Sequence, residues 1–551
     1  MKTIVSQYRE SFLKDLLENS LAVSLRCDGS VDSSQIDKIY VLAKCVLKNG
    51  EVKELFLGAA KPQIRGAQGI LEAVKTACDS TLNCPGISSR ILEAASSMVT
   101  DGASVNSGNK NGLWKLLKKE KDSLAKVYPF VTIWCAVHRT SLAWKQVTKD
   151  IQEVSHLISQ LSSLSTFFHE SAIRTRELRE IGEQEKIRIV HFPKYFEVRW
   201  AEFTADLFNA VLSNWRALVI YFEKNKGSSK ESNGYYQFLT KEGNLKLITS
   251  LADILSSFSH YQKKLQADST TILDISRFTT TLKNQLNNLH TKNLVGGWAS
   301  TFNENLVNRN SNENTVQLHG VTLQCFVQRR RQQHHLYVTD QRGSHAIINE
   351  TIETLNNFLD ERLSLDNDIV TCTSPFVDLQ PNASLQEVHK MWGPDLDLEQ
   401  LGLQYNDLMD HKDIELLRQK TLKQLVEFLA PKKLFHTLLV VFARILAAKP
   451  HSADVERMIS ANNILKTNLR SSINLETENL YLFIHTNMPV VEKWNPRPAI
   501  IAWIKNKNRR VKDTLKAKSQ SWYKHIFEEA ATASGNNTEE ILPKKHTKSF
   551  V

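Results

Sequence analysis

The chain reads as an α/β core interrupted by a large all-α insertion, helix-rich overall, and three observations predict it. Short strand-like apolar runs crowd the first part of the sequence up to Cys135. Long stretches of helical periodicity follow from about residue 150. A second helical block near the C-terminus carries an acidic residue that matches two earlier ones in chemistry. At 551 residues the chain exceeds what one core organises, so more than one compact unit is expected.

The elements can be justified in order. After an amphipathic opening segment, LAVSLRC (21 to 27) reads as a buried strand. KIYVLAKCVL and EVKELFLGAA flank Asn49-Gly50, the dipeptide suited to a tight hairpin in which both central residues take positive φ, so three consecutive antiparallel strands are predicted. In QIRGAQGILEAVKTAC the apolar positions Ile64, Ile70, Leu71, Val74 and Ala77 follow one helical face. A strand ending at Asp101, a helix in NGLWKLLKKE and the strand-like FVTIWC complete the series. Strand, strand, strand, helix, strand, helix, strand is the element order of the ribonuclease H-like fold.

Beyond residue 150 three stripes predict long helices. They are Ile151, Val154, Ile158, Leu161, Leu164 and Phe168; then Phe203, Leu207, Val211, Leu218 and Phe222; then Ile248, Leu251, Leu255, Phe258 and Leu265. LFHTLLVVFARILAAK, near 434 to 449, is too short to span a bilayer and reads as a buried helix. Pro450 and Ser452 open another, with Ser452 expected to cap it and Val455, Met458, Ile459, Leu465 and Leu469 along its face. LETENLYLFIHTN should pack on that helix. The domains are placed at 1–149, the N-terminal part of the core; 150–434, the insertion; 435–490, the C-terminal part of the core; and 491–551, a basic helix and tail.

Three acids stand out against this frame. Asp28 in LRCDGSVD and Asp101 in SSMVTDGASVNSG each follow an apolar run and precede glycine, the exposed end of a buried strand; Glu456 in PHSADVERMIS is helical. Two strand-end aspartates and a helical glutamate are what two-metal phosphoryl transfer needs, because converging carboxylates hold the ions that clamp attacking and leaving oxygens. Each acid has a plainer reading. An Asp before Gly is by itself a turn former, and an acid in a first helical turn complements the dipole. Asp32 competes with Asp28, and alternation through Val23, Leu25 and Cys27 favours Asp28; Asp454 competes with Glu456.

Composition narrows the function classes. A net charge of +11 favours a polyanionic partner. The N-terminal segment lacks the apolar core of a signal peptide, and no membrane association is expected. Seven scattered cysteines without paired spacing argue for reduced thiols. Cys135 and His138 form a CxxH that is half of a zinc site, with no second Cys/His pair at suitable spacing, so no structural zinc is expected. Trp200, beside Arg199 in EVRWAEF, is either a core anchor or a base-stacking surface. Arg329, Arg330 and Arg331 form a basic triplet, and KNKNRRVKDTLKAK (505 to 518) is either a solvated helix or an import or phosphate-contacting segment.

Taken together, CDGSVD, TDGASVNSG, WCAVHRTSLAW, VRW, LQADSTTILD and SADVERMISANNILKTNLRSSINLETENLYLFI resemble a hAT-superfamily transposase or a host protein derived from one. The resemblance covers roughly residues 20 to 490 and rests most on the C-terminal block. It implies a ribonuclease H fold split by a helical insertion between the second Asp and the Glu, a nuclear protein, DNA as partner, and self-association through the region 435 to 486. It implies that Asp28, Asp101 and Glu456 ligate two Mg²⁺ or Mn²⁺ ions for DNA cleavage and strand transfer, that His138 and Cys135 neighbour this centre, and that Trp200 with Arg199 meets an extruded base.

The usual N-terminal BED-type finger has no counterpart, since no CxxC followed by a His pair occurs; it is lost or lies upstream of this sequence. An alternative reading is therefore a domesticated, catalytically inactive nuclear regulator. Its style is also similar to a vertebrate hAT-derived group that includes a SUMO E3 ligase, although no SUMO-binding or ligase site is visible.

Overall fold

The structure, a computed structural model, describes residues 1–32, 35–124, 126–193, 200–307, 315–325, 342–364, 367–467, 470 and 472–505. The chain forms two compact units. One comprises Met1–Ile133 with the described residues from Ser384 onward, and the other is Trp134–Ala383.

The first unit is built on a mixed five-stranded sheet: β1 Ser20–Val31, β2 Asp37–Leu47, β3 Val52–Ala60, β4 Ala95–Thr100 and β5 Val131–Trp134, in the order β3-β2-β1-β4-β5. β1 pairs antiparallel with β2 and parallel with β4, and β2 pairs antiparallel with β3. β1 is the central strand, so it is buried on both faces from Ala22 to Cys27.

Several local expectations need correction. The β2–β3 turn gives positive φ to Gly50 alone; Asn49 instead accepts a bond from the Glu51 amide through its side chain (3.0 Å). A longer loop closes on the glycine, with Gly50 N donating to Leu47 O (2.8 Å). The helix that follows β3 is Ala67–Leu82 and excludes Ile64, which is 52% exposed. Gly66, at φ 87°, sets the helix start after that residue. A further helix, Ile87–Ala94, precedes β4.

The C-terminal segments complete this unit. Helix His436–Ala447 is buried at every residue from Leu438 to Ala447 and packs on β1 and β2. Each fully buried Leu, Val or Phe there contributes about 1.5–3 kcal/mol. Helix Ala453–Leu465 also lies on β1 and β2, and helix Leu475–Asn487 packs on it and on β3. Ser452 stands at the N-cap of the former without a side-chain cap bond.

The edge strand β3 is closed by side chains rather than by another strand. Asn479 accepts from Ala59 N and donates to Ala59 O (both 2.8 Å), and Asn487 does the same with Phe56 (2.8 and 2.9 Å). A shift in register between β2 and β3, where Val41 faces Gly58 and Leu42 faces Phe56, resets the alternation so that residues 56 and 59 both turn to the open edge. Two asparagines on one helix thus occupy hydrogen-bonding groups that a bare edge offers to other chains.

The second unit is mainly helical, with Gln152–His169, Trp200–Asn225 and Glu242–Leu265 carrying the three predicted stripes. Its core holds Phe167, Phe168, Tyr221, Phe222 and Tyr235 in mutual ring contact. It is not all-α. Leu306–Val307, Thr315–Leu318 and Val321–Gln324 form a small antiparallel sheet. His319 (φ 47°) and Gly320 (φ 78°) make the two-residue turn with positive φ at both centres that was expected at Asn49-Gly50.

The division also departs from the expected boundaries at 149 and 435. Helix Ala136–Asp150 packs on Ser344–Leu363 and Trp200–Asn225 of the second unit. The helices Leu385–Trp392, Leu398–Met409 and Leu422–Leu429 pack on His436–Ala447 of the first.

Candidate functional site

Strand register brings the two aspartates level. Arg26 of β1 pairs with Val99 of β4 in parallel, and continuing that register by two residues sets Asp28 beside Asp101. Asp101 follows the last residue of β4, as its sequence context predicts. Asp28 lies within β1, because pairing with β2 runs on to Val31 opposite Asp37.

Both aspartates line one cavity of about 530 Å³, shared with Cys27, Gly29, Asp37, Arg65 and Asn106 among others. Asp28 is half-buried and accepts from the Gly29 amide (2.8 Å); no cation lies within ion-pairing distance of it among the described residues. Burial first, then the charges of Asp101 and Glu456, push its carboxyl up to about 7, against the pull of the Gly29 N–H. Asp101 accepts from the Asn106 side chain and from Ala103 N (3.2 Å). Glu456 sits in the first turn of helix Ala453–Leu465, half-buried, and its charge acts on Asp28. The buried Cys27 thiol is raised by burial and then by Asp28 and Asp101.

The two rival acids have other partners. Asp32 is 4% exposed and meets Lys38 Nζ (2.7 Å) and Lys466 Nζ (2.8 Å), a pair of lysines also held by Glu478. Asp454 is buried against Arg26, Arg457 and Lys449 Nζ (3.1 Å). Arg26 and Lys449 also reach Glu54, the latter at 2.8 Å. Beside this network, burial depresses Lys44, whose Nζ donates to Leu446 O (2.7 Å), to about 7, and His451 to about 3.

The donor chemistry of Asp28, Asp101 and Glu456 suits a hard divalent cation: three carboxylates, with Asp28 under repulsion that a cation would relieve. Among the described residues, however, no three His, Cys, Asp or Glu side chains are gathered closely enough to hold a metal ion.

Cys135 and His138 belong to the second unit, where buried Cys135 caps helix Ala136–Asp150 by accepting from His138 N (3.5 Å) and His138 is exposed. Trp200 begins helix Trp200–Asn225; Arg199 and the Trp200 side chain fall outside the described residues, as do Arg329–Arg331, Leu469 and 506–551. Asp37, Arg65 and Asn106 were not anticipated. Asn106, five residues after Asp101 in the same short loop, had a local signal, whereas Arg65 had none. No helix among the described residues is long and apolar enough to cross a membrane. No protein-family model matches the chain.

Proposed function

We propose that this chain is a hAT transposase-like nuclear protein that binds DNA, self-associates, and uses a ribonuclease H-like core for metal-dependent phosphodiester cleavage and strand transfer. The observation that carries the reading is the sharing of one cavity by Asp28 and Asp101, level across β1 and β4, with the charge of Glu456 acting on Asp28. The strand order β3-β2-β1-β4-β5 and the return of the chain to this unit after a helical insertion also support it. Exposed Ile464 and Tyr481, on helices Ala453–Leu465 and Leu475–Asn487, favour self-association.

Asp28, Asp101 and Glu456 would have to draw together to hold Mg²⁺ or Mn²⁺, which when bound supplies charge neutralisation at the phosphodiester and a more acidic water or hydroxyl. The chain's own residues contribute orientation. Asn106 and the Ala103 amide fix one oxygen of Asp101, and the Gly29 amide fixes one of Asp28.

The test is nicking of a labelled DNA duplex by the full chain with Mn²⁺ or Mg²⁺. Loss of nicking in Asp101→Ala, with an unchanged melting profile, supports cleavage; equal nicking by both proteins removes it. A second reading, a domesticated DNA-binding regulator without cleavage, is favoured by the ungathered carboxylates. It predicts DNA binding without nicking by either protein.

A further inference from the structure

The cavity at Asp28 and Asp101 has a second wall of opposite chemistry. Residues Pro62 to Gly66, which join β3 to helix Ala67–Leu82, line it and bring Gln63, Ile64 and Arg65 to its margin. Arg65 is exposed and makes no ion pair among the described residues, although Asp28, Asp37 and Asp101 line the same cavity. An arginine serving only to neutralise those acids would fold onto one of them.

At about 530 Å³ the cavity has room for far more than one hydrated cation, and falls in the range of organic-ligand sites. A ligand that satisfies both walls carries two negative groups: one that meets the carboxylates through cations, and one that meets a guanidinium directly. Successive phosphates of a nucleic-acid strand have this character, and guanidinium binds phosphate in bidentate fashion. Ile64, Ile70 and Val105 add apolar residues to the lining, which suits a sugar or base face.

We propose that Arg65, assisted by Gln63, grips the phosphodiester next to the one addressed by Asp28 and Asp101, and so fixes the position of a DNA strand in the cavity. This rests on the reading of the cavity as a DNA-processing site. Arg65 acts here as a positioning residue, blind to base sequence.

The experiment measures binding of a fluorescent single-stranded oligonucleotide to the full chain across a salt series, with Ca²⁺ as the non-cleaving cation. Arg65→Ala is expected to weaken binding about tenfold, the loss of one charge-assisted contact. It should also lower the slope of log K against log salt by about 0.7. Arg65→Lys should recover the slope and only part of the affinity, because it keeps the charge and loses the fork. Since Arg65 is exposed, the melting temperatures should agree. Unchanged affinity and slope in Arg65→Ala, with wild type binding the strand, overturn the role of Arg65 and leave the DNA reading standing. Failure of the wild type to bind any strand overturns both.

Discussion

Arg26 on β1 and Asp454 at the start of helix Ala453–Leu465 form a buried ion pair across 428 residues of sequence. By strand alternation Arg26 shares a face with Asp28, two residues on, and Asp454 precedes Glu456 by two. The pair therefore ties the strand that bears one candidate acid to the helix that bears another.

Removing one member of this pair should be costly. Asp454→Asn removes a carboxylate charge from beside buried Arg26 and Lys449, and should lose about 3–5 kcal/mol in urea unfolding. The acid limb gives a second check. Although burial opposes it, the surrounding Arg26, Lys449, His451 and Arg457 charges hold Asp454 down at about 2, below its ordinary 3.8. The stability this supplies is complete above 3.8 and is lost as pH falls through about 2, so the variant's stability should vary less over that window.

Asp28 should behave in the opposite sense. Its folded value of about 7 lies above 3.8, so its contribution is fully present below 3.8 and is lost as pH rises through about 7. Asp28→Asn is expected to raise the melting temperature at pH values above 7, with the gain shrinking towards the acid end. For the same reason, calorimetric Mn²⁺ affinity of the wild type should climb as pH passes through about 7, and this climb should flatten in Asp28→Asn. A melting difference independent of pH would contradict the assignment.

The asparagine clamp on β3 predicts a local signature. Asn479→Ala leaves the buried Ala59 amide and carbonyl without their partner, a loss of about 1–3 kcal/mol per unsatisfied group. Hydrogen exchange should accelerate at Ala59 in this variant and at Phe56 in Asn487→Ala, each more than at the other site.

Gly58 supplies a packing test. It has φ 149° at the register shift, and a Cβ there would stand 2.2 Å from Ala77 O and 2.4 Å from Thr81 Oγ1 of helix Ala67–Leu82. Gly58→Ala should destabilise by about 1–3 kcal/mol or more, because backbone rather than a side-chain tip must yield. A denaturation midpoint equal to wild type would show that the helix moves aside at no cost.

The parts of this architecture that were legible in the sequence are those written in local periodicity. Val23, Leu25 and Cys27, alternating with Ser24 and Arg26, marked β1 although both of its faces are buried, and Leu161, Leu164 and Phe168 marked a helix by their recurrence at about 3.6 residues. The two-residue hairpin at His319-Gly320 lacks the Asn-Gly signal, whereas Asn49-Gly50 carries that signal and sits in a longer loop. The preference for Asp28 over Asp32 and for Glu456 over Asp454 came from pattern alone. The lysines and arginines that engage Asp32 and Asp454 include groups more than four hundred residues away, beyond any local signal. The polar clamp of Asn479 and Asn487 was illegible for a related reason. On a helix they look like solvent-facing residues until the strand they serve is known.

The late arrival of that clamp bears on how the protein is made. The first three strands leave the ribosome well before helix His436–Ala447 can cover them or Asn479 and Asn487 can close their margin. An entire second unit is translated in between. The nascent sheet must therefore wait with apolar surface and unpaired backbone in view, the kind of intermediate that chaperones hold.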